Sequence, residues 1–258
     1  MMREFVRRRR RALVVMGAAG LAAIVGSRLP LRSALLALGL KTRVDVTRGF
    51  LLLRLVHPAT GQDLFLLGTT HHRLFFDGDY SLWHVKAALQ CLDVDAALVE
   101  VLPEDLAAGR EADGPVEMPF VIGVARARGL AVHGIDARWN DGWRARQDRM
   151  FASLQAAVVG VRAAVVVCGY LHLRAFREQL LGAGFRDASW GPADAEACFA
   201  GDVARTLPRG FRAAVQASLD RARQGRAGHE PFAGAGTDWF VDVRQRVLAA
   251  VATVAEDP

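Results

Sequence analysis

Two histidines leave apolar runs in the same manner. "FLLGTTHHRLF" (65–75) passes into Gly68-Thr69-Thr70-His71, and "AAVVVCGYLHLRAF" (163–176) passes into Gly169-Tyr170-Leu171-His172. A glycine at a strand exit lets the backbone turn tightly and approach a ligand. A histidine three residues later then faces the crevice beyond the strand ends, where α/β sheets gather their ligands. Glu100 stands in a third apolar run, "AALVEVL", where a carboxylate is costly unless paired or bound to a metal. Two imidazoles and a carboxylate converging from three strand ends make a divalent-metal set, with His71, Glu100 and His172 as ligands and open positions left over. The same trio can equally serve without metal as base, acid and orienting group.

Other side chains carry weaker signals. His72 would point away from His71 on a strand, although in a loop it could reach the same crevice. His84 falls on a helix and reads as surface or core, and His229 has no partner by spacing. Asp63, ahead of an apolar run, reads as a turn residue, and Trp139, Trp143 and Met150 read as core. The chain has no HExxH, GxSxG, Walker loop or GxGxxG, which removes most common hydrolase and nucleotide-binding readings.

The elements that must position these groups alternate. "FLLLRLVHP-ATG-QDLFLLGTT" reads as two strands around a Pro/Gly turn. A helix follows over 81–92, with Ser81 as N-cap. A short strand over 95–102 carries Glu100. Helices over 114–130, 142–160 and 174–185 are separated by strands at 131–136 and 163–173, and "RDASW" closes the series. The pattern predicts an α/β fold, a mixed sheet covered by helices. It has two related halves, each with a strand–GxxH–helix unit. From about 193 to 258 it predicts a helical C-terminal extension, with helices near 209–223 and 239–254.

The motifs resemble the TraB/TIKI/GumN-like superfamily, which reaches distantly to the ChaN and erythromycin-esterase groups. "FLLGTTHH" looks like its first motif and "ALVEV" like the strand bearing its glutamate. "RQDRM" (146–150) is similar to its helix motif, with Gln147 in place of asparagine. "VVVCGYLHLRAFREQLLGAGF" resembles its GxxHLxGxxxLLxxxGY segment. The resemblance covers about 60–190. It implies a cleft lined by His71, Glu100, Arg146 and His172. It also implies one of three chemistries: a metal-dependent peptidase using manganese or cobalt, a metal-independent esterase, or a haem-iron binder. Asp136, which with Arg138 ends the "HGID" strand, is a candidate partner for Arg146. Arg174 and Ala175 replace the family's small glycine and are expected to narrow the cleft mouth.

Of the formal net charge of +6, the first eleven residues supply +5, from six Arg and one Glu. The rest of the chain therefore lacks the basic face that nucleic-acid binding requires. This charged block precedes the uncharged run "ALVVMGAAGLAAIVG" (12–26), the pattern of an export signal or signal-anchor. The run is short for a spanning helix, with a small-x-small step at Ala37-Leu38-Gly39. Residues 1–40 are thus expected to hold the protein in the membrane with its domain outside the cytoplasm, or to export it to the periplasm. Residues 41–192 would form the catalytic-type domain. The three cysteines form no CxxC pair. Cys91 and Cys168 read as buried thiols, and one disulfide is possible in an exported chain. Together these features predict a membrane-anchored or exported hydrolase, a metal-dependent peptidase/amidase or esterase acting on a peptide or small ester or amide. The alternative is a non-catalytic metal- or haem-iron-binding protein.

Overall fold

The computed structural model describes residues 48–138, 142–225 and 237–258. Residues 1–40, for which an export or anchor role is expected, the Ala37-Leu38-Gly39 step, Trp139 and His229 lie outside them. Residues Val46–Pro258 pack as one unit. The fold is α/β, with a six-stranded mixed sheet and eight α-helices among the described residues.

Strands β1 (Leu52–His57) and β2 (Gln62–Thr69) form an antiparallel hairpin. Asp63 is not a turn residue. It lies in β2, where the Arg54 guanidinium pairs with its carboxylate at 2.9 Å across the hairpin. The chain then forms a 3-10 turn (His71–Phe75), helix α1 (Leu82–Cys91) and strand β3 (Ala96–Val99). Ser81 takes the predicted N-cap position, and its N–H donates to His84 Nδ1 at 2.9 Å, so His84 is a capping residue. Helices α2 (Pro103–Ala107) and α3 (Met118–Ala127) lead to β4 (Ala131–Gly134), and α4 (Gly142–Ala157) leads back to β5 (Ala163–Gly169). A 3-10 turn (Tyr170–His172) opens α5 (Leu173–Gly182), followed by the two-residue β6 (Arg186–Asp187).

The strand order is β4-β3-β5-β2-β1-β6. β5 is parallel to both β3 and β2, and every one of its residues is buried, as an unbroken Ala/Val run in a sheet covered on both faces should be. From β2 the chain steps outward to β3 and β4, then reverses to insert β5 between β3 and β2. Right-handed crossovers put helices before and after such a reversal on opposite faces. A crevice opens where the connections diverge, beyond the carboxyl ends of β2, β5 and β3. His71, His172 and Glu100 follow those three strand ends.

The C-terminal helices belong to the same unit. α6 (Pro192–Phe199) packs on α1, and a Cys91–Cys198 disulfide with a Cα–Cα distance of 5.4 Å joins the two. Cys91 is therefore not a buried thiol, because two helices distant in sequence bring it to Cys198. Cys168 is free and buried as expected. α7 (Phe211–Arg223) packs on α3, and α8 (Thr237–Ala250) packs on α7 and on the His71–Phe75 turn. Arg244 of α8 is buried and donates to Ser218 Oγ at 2.7 Å and to the Ala112 carbonyl at 2.5 Å. Burial lowers its pKa to about 10. Arg221 of α7 pairs with Asp113 at 2.8 Å. The two arginines thereby fix the segment that leads into α3. Among the described residues, no helix is long and apolar enough to cross a membrane.

Candidate active site

The first strand exit places His71 in an unusual backbone state. Its φ is 53°, the only positive φ of a non-glycine among the described residues. Such left-handed conformations cost on the order of 1 kcal/mol or more and persist where the surroundings hold them. Here Glu117 holds the ring. His71 Nδ1 lies 2.9 Å from Glu117 Oε1, which also accepts a 2.7 Å hydrogen bond from Thr69 Oγ1. Glu117 takes the N-cap position of α3 and is fully buried, and its Oε2 has no hydrogen-bond partner among the described residues. The His71 side chain keeps 33% of its surface in solvent. Burial works against protonation of the ring, but the Glu117 carboxylate, seconded by Glu100, outweighs it and raises the His71 pKa to about 9. The ring is therefore an imidazolium at neutral pH, and with Nδ1 held by Glu117 its other N–H, at Nε2, is the one left for a reactant.

The second strand exit brings Gly169 against that nitrogen. A methyl group added at Gly169 would lie 2.5 Å from His71 Nε2 and 3.4 Å from Glu100 Oε2. The glycine thus lets an acid and a carboxylate approach one point. Glu100 directly follows β3 and is 3% exposed. Its Oε2 accepts the Gly169 N–H at 2.6 Å and its Oε1 accepts Arg146 Nη2 at 2.9 Å. Burial pushes the Glu100 carboxyl up, but His172, His71 and Arg146 together outweigh it and hold it well below the ordinary carboxylate range.

Arg146, in the second turn of α4, is the hub of the buried network. It donates from Nε to Asp136 Oδ1 at 2.9 Å and to the Ala137 carbonyl at 3.1 Å, and Nη1 lies 3.2 Å from His172 Nε2. Asp136 is its partner, as the sequence suggested. Burial would lower the guanidinium pKa, but Asp136 and Glu100 raise it, so the charge is permanent. His172 is 3% exposed. Its Nδ1 faces Gln147 Oε1 at 2.6 Å, Gln147 Nε2 donates to Gln179 Oε1 at 3.2 Å, and Gln179 Nε2 donates to Asp148 Oδ1 at 3.0 Å. This polarity places an N–H on His172 Nδ1, while its Nε2 lies 3.4 Å from Glu100 Oε1. Gln147 thereby does for this ring what an orienting asparagine would do from a shorter reach.

Two further expectations change. Trp143 is not core. It is 40% exposed and stacks on His172 with ring centroids 4.4 Å apart, because its place in the first turn of α4 faces the strand ends. Arg174 does not narrow the mouth. Its side chain is 89% exposed and pairs with Glu178 one turn along α5. His72 lies in the same 3-10 turn as His71, with its ring edge-on to Trp239 at 5.8 Å, and Met150 is core. Sequence reasoning missed Glu117. The residue lies in "GPVEMPF", which reads as helix interior, and only the carboxylate's place in an apolar run signals it.

The arrangement does not fit a divalent ion at His71, Glu100 and His172. Such an ion needs its ligand atoms at about 2.0–2.2 Å, yet a guanidinium already lies 2.9 Å from Glu100 Oε1 and 3.2 Å from His172 Nε2. Among the described residues, no group of three or more His, Cys, Asp or Glu is placed to hold a metal. Haem iron meets the same obstacle at His172. A scan against protein-family models and searches of curated proteins and of solved structures find no match to this chain.

Proposed function

We propose that this chain is a hydrolase of a carboxylic ester or amide, of the TraB/TIKI/GumN-like kind that its motifs resemble, working by acid–base chemistry. The observation that carries the reading is the opposed pair at Gly169: a protonated His71 and an ionised Glu100 within 3.4 Å of one point. Two titratable groups pushed apart in pKa at one site define an acid and a base. Among the described residues Glu100 Oε2 accepts one hydrogen bond, from Gly169, which leaves it a lone pair for water.

A substrate carbonyl set against His71 Nε2–H is polarised by the imidazolium. The water oxygen adds to the carbonyl carbon as its proton passes to Glu100. The C–O or C–N bond then breaks as the leaving group takes the His71 proton. Solvent exchange returns a proton from Glu100 to His71. Arg146 supports the base from behind, and His172, stacked under Trp143, fixes Arg146. The Cys91–Cys198 disulfide supports an oxidising compartment, in keeping with export or anchoring through residues 1–40.

The test is turnover of p-nitrophenyl ester, anilide and peptide panels by the full chain in mild detergent, beside His71→Ala and Glu100→Gln. Wild-type turnover that falls about 100-fold or more in His71→Ala, the range of acid–base catalysis, supports the reading. Absence of any turnover by folded wild-type protein, or full activity in His71→Ala, overturns it in favour of a binding role for the cleft.

A further inference from the structure

The His71 turn leaves β2 just where the hairpin stops supporting it. β1 begins at Leu52, opposite Leu67. One residue further along β2, the Gly68 N–H still reaches the Leu51 carbonyl at 2.7 Å. The Gly68 carbonyl instead accepts the Tyr80 hydroxyl at 2.6 Å. Tyr80 lies two residues ahead of α1 and is 4% exposed. Its ring stacks on His84 and meets Phe199 edge-on at 5.6 Å, so packing on two sides fixes where the hydroxyl sits. Burial, and then the Glu117 carboxylate, push the phenol far above its ordinary range, so the hydroxyl keeps its proton and its role as donor. Gly68 is also where the two strand exits touch. A methyl group added there would lie 2.7 Å from Leu173 Cδ1 and 3.1 Å from Tyr170 Cα, and Tyr170 opens the turn that ends in His172.

We infer that Tyr80 is a positioning residue of the site: by holding the Gly68 carbonyl it sets the His71 turn against the Gly169 turn, and so sets the approach of the acid to the base. The inference rests on the hydrolase reading for its effect on rate and goes beyond it in naming a group that touches no reactant. The left-handed backbone of His71 persists only while its surroundings hold it. Glu117 holds the turn by the His71 ring and Thr69 Oγ1, and Tyr80 holds it by the backbone of the residue before Thr69. Without the hydroxyl, the buried Gly68 carbonyl turns toward another donor, and Thr69 and His71 swing with it. The ring then slips from Glu117 Oε1, which weakens the carboxylate's hold on its proton, and it no longer meets Gly169 and Glu100 at close range. A misplacement of about 1 Å at a catalytic group can cost roughly 100-fold in rate. A tyrosine that only filled the core would instead change stability and leave the chemistry of each folded molecule as it was.

The test compares the full chain in mild detergent with Tyr80→Phe, which keeps the ring and removes the hydroxyl. Turnover of p-nitrophenyl esters is expected to fall about 10- to 100-fold, with the loss in kcat rather than KM. The His71 pKa, read from its imidazole signals by NMR, is expected to fall by about one unit or more, and the alkaline limb of the pH profile with it. The control is Val94→Ala, which shortens a buried side chain ahead of β3, at the end of the sheet away from the site. It should lower the melting temperature and move neither reading. If folded Tyr80→Phe keeps the wild-type kcat and His71 pKa, or if Val94→Ala shifts them equally, the inference is overturned. Phe199→Leu keeps the hydroxyl but frees one side of the ring, and a smaller fall in the His71 pKa is expected. Should Tyr80→Phe not fold, an unchanged His71 pKa in Phe199→Leu overturns the inference in its place. The NMR reading also separates this inference from the hydrolase reading. If no ester is turned over yet the His71 pKa falls in Tyr80→Phe and not in Val94→Ala, the positioning role stands and the hydrolase reading fails.

Discussion

Replacing Glu117 with Gln removes one charge and little else. The amide oxygen can still accept from Thr69 Oγ1 and His71 Nδ1–H, and the volume is nearly unchanged. What is lost is the main upward push on the His71 pKa, which stands at about 9. With burial then less opposed, the pKa should fall back to the ordinary value of 6.5 or below. The imidazole signal in an NMR titration reads this directly. If protonated His71 is the acid, wild-type kcat/KM declines above about pH 9, while the variant declines above about 6.5 and recovers much of its activity on acidification. Stability follows the same groups. A raised pKa stabilises the fold fully below the unfolded value of 6.5, and the contribution is lost as pH climbs through about 9. The displacement corresponds to about 3 kcal/mol, reduced to roughly 1–2 because a third of the ring is in solvent. The wild-type melting temperature should therefore fall by about 3–6 °C between pH 6.5 and 9, and the variant's should not. An alkaline limb that stays near pH 9 in Glu117→Gln would refute the reasoning.

Gly169→Ala puts a methyl group 2.5 Å from His71 Nε2. Hydrolysis should fall at least about 100-fold, with a stability loss of about 1–3 kcal/mol typical of overpacking, and near-normal turnover would show that the close approach is unimportant. Glu100→Gln faces the Arg146 charge with a neutral group and should destabilise the fold by about 3 kcal/mol. Denaturation by urea measures this, and an unchanged midpoint would mean that the buried ion pair contributes nothing. Elemental analysis of protein purified without chelator should find less than stoichiometric manganese, cobalt, zinc or iron, and EDTA should leave turnover intact. A full equivalent of metal that disappears with His172→Ala would reinstate the metal site that the sequence suggested.

The parts of the site legible in the sequence are those with local signals. Gly68 to His71 and Gly169 to His172 announce strand exits by composition alone, and Glu100 announces itself by standing in an apolar run. Arg146 and Asp136 were joined through the resemblance and a shared sheet edge, and they do meet. Glu117 was illegible because its role is set by tertiary structure: α3 must first pack against β3 and β4 before its cap meets Thr69 and His71. The Cys91–Cys198 pairing is equally non-local, the two lying 107 positions apart, and nothing in either helical pattern points to the other. Trp143 was misjudged because an aromatic at helical spacing is usually core, whereas here the first turn of α4 lies at the open end of the sheet. The insertion of β5 between β3 and β2 was also out of reach, since alternation of strands and helices fixes the layers but not the order within the sheet.

The Cys91–Cys198 bond closes a covalent ring. Glu100, Glu117, Asp136, Arg146 and His172 all lie inside it, and Thr69 and His71 come from the chain outside. Thermal unfolding of the oxidised protein therefore scatters the site only as far as the ring permits. In the chain-entropy view, a closed loop of about 100 residues removes roughly 4.7 kcal/mol of freedom from the denatured state, comparable to the whole stability of many domains. Glu100, Glu117, Arg146 and His172 are thereby confined to one loop of the oxidised unfolded chain, and His71 meets them only when β2 docks against β5. In a reducing compartment the same sequence would have to assemble its site from an open chain.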